Sequence, residues 1–241
     1  MEQTLYLSFM AFVTSIISGM TGMGGGVLLL SFMAPFFTPA VLIPLHGLVQ
    51  LASNLSRTVM LRDYVSKKIG LSFSIGALIG AMLGAPLVHL LPENYFRLIL
   101  GLFILVMTWM PKIKKAPKTS SLFLSVGGGA GFISLFIGAT GPFIAPFFLH
   151  AGLDKKNLVA SKAFCQAVLH TTKMIAYFLS GFVLAPWIGL LSFMIPAVVL
   201  GNWVGKKILF KLPETQFRLV LKILISLAAL RVFWMGLDIK V

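Results

Sequence analysis

The sequence predicts an all-α, polytopic membrane protein built of two inverted repeats, each a glycine-broken, re-entrant helical hairpin followed by three transmembrane helices. Three observations carry that expectation. The 241-residue chain is 58% hydrophobic and only 11% charged, with a mean hydropathy of +0.98, whereas about a quarter of an ordinary soluble domain is charged. The stretch Leu91 to Leu100 returns as Leu212 to Leu221 with seven of ten residues the same, the mark of a duplication. Finally, two long apolar runs are interrupted by glycine at corresponding places in the two halves, at Ser18 to Gly26 and at Gly138 to Pro142.

The first apolar run, 5–37, opens without a basic segment before it, which favours a retained helix over a cleaved signal peptide. Its interruption holds five glycines in eight residues (Gly19, Gly22, Gly24, Gly25, Gly26). Each costs a helix about 1 kcal/mol relative to alanine, so the run should break there and restart near Gly25. Within a membrane such a break survives where protein or a water-filled cavity satisfies the freed backbone. The restarted half-helix then aims open N–H groups and a positive dipole end at the cavity, which suits an anion. A glycine patch that merely lets helices approach closely is the alternative for this stretch taken alone.

Spans are expected at about 40–62, 68–90 and 93–110, completing a first repeat over 1–115. The second repeat, 116–241, should hold a broken segment at 121–150 and spans at about 157–180, 184–208 and 214–236. Its break, Gly138-Ala139-Thr140-Gly141-Pro142, matches Gly19-x-Thr21-Gly22 upstream, and Gly201 and Gly205 match Gly80 and Gly84. Paired Gly/Pro-interrupted segments at equivalent places in two halves point to a transporter binding site.

Loop charge sets the expected orientation. Basic residues crowd four links: Arg57 to Lys68, Lys112 to Lys118, Lys155-Lys156, and Lys206 to Lys211. By the positive-inside rule these should be cytoplasmic, and the uncharged turns near 38–42 and 181–186 outside. Eight full crossings cannot satisfy this, because the fifth segment would join two cytoplasmic links. Hairpins that dip in and return, at 5–37 and 121–150, satisfy it, and leave three spans per half, so the halves have opposite orientation.

Two spans carry polar stripes at matched spacing. His46, Gln50, Asn54 and Arg57 lie at i, i+4, i+8 and i+11, as do Lys162, Gln166, His170 and Lys173, each pair of equivalents 116 residues apart. Such residues share one helix face. Polar and ionisable groups at membrane depth are by default a functional site, although hydrogen bonds between spans, worth about 0.6 kcal/mol each, are a structural alternative. Arg57 either joins the site or ends its helix at the cytoplasmic surface. His46 and His170 are candidates for proton exchange near neutral pH, or neutral hydrogen-bonding groups. All six carboxylates fall at chain ends or segment ends, so the interior is polar and cationic, which favours an anionic substrate over a cation.

Other functions find no support. There is no His-Glu-x-x-His, no Gly-x-Ser-x-Gly and no complete P-loop, so no enzyme is expected. The single cysteine, Cys165, excludes disulfide and thiolate-metal frameworks. The net charge of +14 sits in short links and reads as topology-setting rather than as a nucleic-acid surface. No cofactor and no metal are expected; the expected partners are a small anion and membrane lipid, and the sequence sets no oligomeric state.

The Gly-x-x-Gly-x-Gly-Gly-Gly element at Gly19 to Gly26, the polar second segment ending in a basic loop, and the duplicated half together resemble the sulfite exporter TauE/SafE family, also described as toluene sulfonate uptake permeases. The resemblance covers essentially the whole chain. It departs from the pattern in the second half, where the glycine run is reduced to Gly138-Ala139-Thr140-Gly141-Pro142. It implies a carrier of sulfur-containing anions such as sulfite, thiosulfate, sulfoacetate or another organosulfonate, multi-pass in a bacterial inner membrane and working by alternating access. A channel-like anion pathway and a non-transporting membrane scaffold are the rival readings. For the carrier, backbone N–H groups at Gly22, Gly24, Gly25, Gly26 and Gly141, with the hydroxyls of Thr21 and Thr140, are expected to receive the oxyanion. Gln50, Asn54, Gln166 and His170 would line the same cavity, and His46, Arg57, Lys162 and Lys173 would serve the anion path or its coupling.

Overall fold

The computed structural model describes residues 1–90 and 119–209, with residues 102, 105, 106, 226, 230, 233 and 234 besides. The repeated motif at 91–100 and 212–221, the basic links at 112–118 and Lys211, and nearly all of the spans expected at 93–110 and 214–236 lie outside the described residues. What is described is helical, without strands. The helices are α1 (Glu2–Thr21), α2 (Gly25–Met33), α3 (Pro39–Met60), α4 (Lys67–Gly84), α5 (Ser120–Phe136), α6 (Gly141–His150), α7 (Lys155–Leu179) and α8 (Ile188–Leu209). Short 3-10 turns precede α4 and α8 and follow α4.

Three of these stretches are long and apolar enough to cross a membrane, Glu2–Thr21, Lys67–Leu87 and Ala185–Leu209; Ser120–Phe136 is a shorter apolar helix. With 22 and 25 residues, α3 and α7 reach about 33 and 37 Å at about 1.5 Å per residue, against a hydrocarbon core of about 30 Å. Their polar stripes lower their hydropathy without shortening them.

The two broken runs form as the glycines require. Gly22 ends α1 in the left-handed conformation, φ 70°, with its N–H on the Ser18 carbonyl at 2.8 Å, an ordinary glycine C-terminus. Gly24 is also left-handed, φ 87°, and the chain reverses, so that α2 lies back along α1. A Cβ on Gly25 would collide with the Thr14 carbonyl and the Ser18 hydroxyl. The second run breaks after Phe136 and restarts at Gly141, with Pro142 in the first turn, where its missing N–H is no loss.

Packing then exchanges the halves. The closest helix pairs are α1 with α8 and α4 with α5, and glycines make both. In α4, Gly76 and Gly80 meet the Leu124 and Gly128 carbonyls, while Gly127 and Gly131 of α5 meet Phe73 and Ala77. In α8, Gly201 and Gly205 lie on the Phe12 and Ile16 carbonyls of α1, with Gly19 against Gly205. Small residues that let backbones touch are the usual adhesive of helices in lipid. The buried core accordingly falls into two clusters: one centred on α1, α2, α3 and α8, the other on α4 to α7.

Links of like charge gather at opposite ends of the bundle. The Lys206 ammonium of α8 donates to the Met60 carbonyl at the end of α3, at 2.8 Å, and Lys156 lies 5.2 Å over the Tyr64 ring. The ends of α3 and α8 and the starts of α4 and α7 therefore share one basic end. At the other end Phe37 meets Trp187 edge-on, centroids 5.5 Å apart, bringing the uncharged turns before α3 and α8 together. Thus α3 runs opposite to α7, and α4 opposite to α8.

Gly80→Leu should drive a side chain into the Gly128 backbone and lower the stability of the purified protein by about 1–3 kcal/mol or more. Gly189→Leu, where nothing lies within 4 Å of an added Cβ, should leave it unchanged. Thermal unfolding in detergent reads both.

Candidate functional site

The two helix breaks meet in the centre of the bundle, and the polar stripes of α3 and α7 close on them. At the end of each broken helix the last carbonyls have no partner within the helix and carry the negative end of the dipole. A lysine from α7 fills each place. Lys162 donates to the Gly22 carbonyl at 2.9 Å and Lys173 to the Gly138 carbonyl at 3.1 Å; both side chains are completely buried. The Tyr177 hydroxyl adds a bond to the Leu135 carbonyl at 2.9 Å. One helix thus holds both breaks open at defined points.

The glutamines occupy equivalent positions at the restarted helices. Gln50 lies against Gly26 at the start of α2, and Gln166 against Gly141 at the start of α6. At either glycine an added Cβ would stand only 3.1–3.2 Å from the amide, so glycine is what permits the approach. His46 Nε2 lies 2.8 Å from the Gly26 carbonyl, and the His46 and His170 rings face each other edge-on, centroids 6.3 Å apart.

Between these groups is a small cavity of about 20 Å³, room for a water-sized occupant. Of the residues expected at the site, Gly22, Gly24, Gly26, His46, Gln50, Arg57, Gly141, Gln166 and His170 line it. Arg57 is 4% exposed and so lies in the site rather than at the surface. One of its nitrogens, Nη2, donates to the Asn54 amide oxygen; Nε and Nη1 are buried with no partner among the described residues. An arginine fork with two free donors is suited to an oxyanion.

The remaining expected residues do not line the cavity. The Thr21 hydroxyl is used inside its own turn, 2.7 Å from the Ile17 carbonyl and accepting the Met23 N–H at 3.1 Å. Gly25 faces α1. Asn54 stands behind Arg57 and donates to the Gln50 carbonyl at 2.7 Å. Thr140, at the start of α6, is buried with its hydroxyl unpartnered among the described residues. Lys162 and Lys173 act on the backbone behind the cavity wall. Four lining residues were not anticipated: Ser18, Met23, Val27 and Ala139, each one to four residues from a glycine that was.

A second buried polar group also escaped the sequence reading. Asn202 of α8 donates to the Ser53 carbonyl at 2.8 Å, the Ser53 hydroxyl at 3.0 Å and the Ser56 hydroxyl at 2.9 Å. Ser15 of α1 stands 3.5 Å from the same Ser53 hydroxyl. The signal was available, a lone amide inside an apolar span flanked by Gly201 and Gly205. Its bonds tie α3 to α8.

Charge balance is the site's main property. Arg57, Lys162 and Lys173 are buried, with no acid beside them among the described residues. The described carboxylates Glu2, Asp63 and Asp154 are all exposed, and the ion pair found among the described residues, Arg62 with Asp63, is at the surface. No group of three potential metal ligands occurs among the described residues. The arrangement offers positive potential, free guanidinium donors and amides to a small anion.

Residues 7–232 match the family model described as Sulfite exporter TauE/SafE. A curated relative, the probable membrane transporter protein YunE of Bacillus subtilis (strain 168), is 25% identical over 269 residues, covering 96% of this chain and 97% of its own. No solved structure matches the chain. A helical bundle with membrane-length apolar helices, broken twice around a buried cationic cavity, and a family match over nearly its whole length place the chain in the sulfite exporter TauE/SafE family of membrane transporters.

Proposed function

We propose that the chain is a secondary carrier of a small sulfur-containing anion, of the sulfite, thiosulfate or organosulfonate class, that binds between the two helix breaks and crosses by alternating access of two inverted halves. The observation that carries this reading is the cationic interior: Arg57 lines the cavity with two donors unused, Lys162 and Lys173 are buried behind it, and no carboxylate is buried among the described residues. Taking a cation out of water costs several kcal/mol unless a partner compensates. Here the lysines are compensated by carbonyls, while Arg57 has an amide oxygen only, so an anion that enters supplies what the protein lacks. The sulfur chemistry comes from the family description and from nothing in the cavity.

The opposite running of α3 and α7, and of α4 and α8, supports inverted halves, and the single basic end of the bundle supports both hairpins returning to the side they entered. In this reading the basic end faces the cytoplasm of a bacterial inner membrane. Rocking one half against the other would open the cavity to each side in turn.

Counterflow of labelled sulfite into proteoliposomes preloaded with sulfite, thiosulfate, a sulfonate, sulfate, acetate or chloride tests the carrier. Acceleration by sulfur anions but not by acetate or chloride is expected; flux without acceleration by any of them indicates a channel. Arg57→Gln should cut counterflow about tenfold or more, the loss of a charged hydrogen bond worth about 1.5–3 kcal/mol. Lys173→Ala, which removes a backbone anchor, should lower flux as well, and unchanged flux would remove Lys173 from the mechanism. For topology, in a Cys165→Ser background, cysteines at Thr38 or Gly181 should react with an impermeant thiol reagent in intact cells. Cysteines at Lys68 or Lys155 should react only after permeabilisation.

A further inference from the structure

The histidine pair is the part of the cavity that anion binding does not explain. His46 and His170 come from different helices, are 0% and 2% exposed, and both line the cavity. Because a carbonyl can only accept, the 2.8 Å contact of His46 Nε2 with the Gly26 carbonyl fixes the hydrogen on Nε2. In the neutral ring this leaves a lone pair on Nδ1. That Nδ1 is buried with no partner among the described residues, and so is Nδ1 of His170. Two buried, unoccupied imidazole nitrogens on rings whose centroids are 6.3 Å apart are a place for a proton rather than for an oxyanion oxygen, which brings no hydrogen.

The charged groups beside the pair are cations, Arg57 of α3 and Lys173 of α7; α7 also carries Lys162, bonded to the Gly22 carbonyl, Tyr177, bonded to the Leu135 carbonyl, and Cys165. Helices α2 and α5 carry no titratable side chain. Those of α1, α4 and α8 (Glu2, Tyr6, Lys67, Lys68, Lys206 and Lys207) lie within two turns of their helix ends. No carboxylate among them is placed to compensate a further positive charge. An anion in the cavity is. Opposite charges in one low-dielectric site each lower the electrostatic cost of the other, and such coupling is reciprocal, worth about 5- to 150-fold in affinity.

We propose that His46 and His170 form a proton-binding site that fills together with the anion, so that the protein is an anion–proton symporter. The proton remains on an imidazole nitrogen while the loaded carrier turns and leaves with the anion on the other side. This rests on the anion-carrier reading above.

The test uses full-length protein in proteoliposomes containing a pH-sensitive dye, with labelled thiosulfate and methanesulfonate, which hold no proton of their own across the neutral range. Anion uptake should acidify the lumen in proportion to the anion carried, and an inward acid gradient should speed uptake about tenfold, within the ordinary range of coupling. His46→Gln combined with His170→Gln should lower the number of protons per anion at least about fivefold, a ratio that does not depend on how much active protein is present. Net anion uptake by the wild type into anion-free vesicles without proton entry would overturn the symport while leaving the carrier standing. An unchanged ratio in the double variant would overturn the assignment to these histidines. If the double variant carries no anion, the wild-type proton measurement decides the symport, and each single His→Gln variant supplies the ratio. No counterflow of any anion would remove the carrier reading and this inference with it.

Discussion

Two lysine ammonium groups bonded to main-chain carbonyls are the interaction on which the site depends. A helix that stops inside a membrane leaves carbonyls that neither lipid nor neighbouring apolar helices can satisfy. Lys162 and Lys173 satisfy one at each break and place positive charge against the negative end of a dipole. The same two bonds hold α7 to both broken runs. Everything else at the centre is positioned by this: Gln50 and Gln166 against the restarted helices, Arg57 below them, and the histidines across the gap.

The arrangement also explains why charge is tolerated here without acids. An arginine or lysine at membrane depth ordinarily faces a partner of opposite sign or a watery cavity. In this bundle the partners are carbonyl and amide oxygens, which satisfy hydrogen bonds but do not cancel charge. Among the described residues a net positive interior remains, the feature on which the proposed anion site rests.

Much of this was legible in the sequence because it follows from local rules. Glycine density located the first break, since few other residues accept φ near +70° to +87° at Gly22 and Gly24, and the match of Gly138-x-Thr140-Gly141 to Gly19-x-Thr21-Gly22 located the second. Helical periodicity placed His46, Gln50, Asn54 and Arg57 on one face and their equivalents on another, and those faces are the buried ones. Reach was not legible. Nothing in spacing says that Lys162 crosses to a carbonyl in the other half of the chain, or that Thr21 spends its hydroxyl within its own turn. Nor could periodicity separate Asn54, which supports Arg57, from Gln50 four residues earlier, which lines the cavity. Asn202 was overlooked for a different reason: it stands alone in its span, and its partners Ser53 and Ser56 are small residues on a helix already read for other side chains.

The exchange of α4 and α8 between the halves bears on how the chain is made. Synthesis runs from the N-terminus, and the face of α1 that Gly201 and Gly205 will cover is made about 170 residues before α8. Until then Gly19 and the exposed carbonyls of Phe12 and Ile16 have no backbone to rest on, and the seam that will bury them does not exist. The second seam, α4 on α5, closes earlier and across the middle of the chain. The seam of α4 on α5 can therefore close before that of α1 on α8, and until α8 is made α1 has only α2 and α3 to rest on.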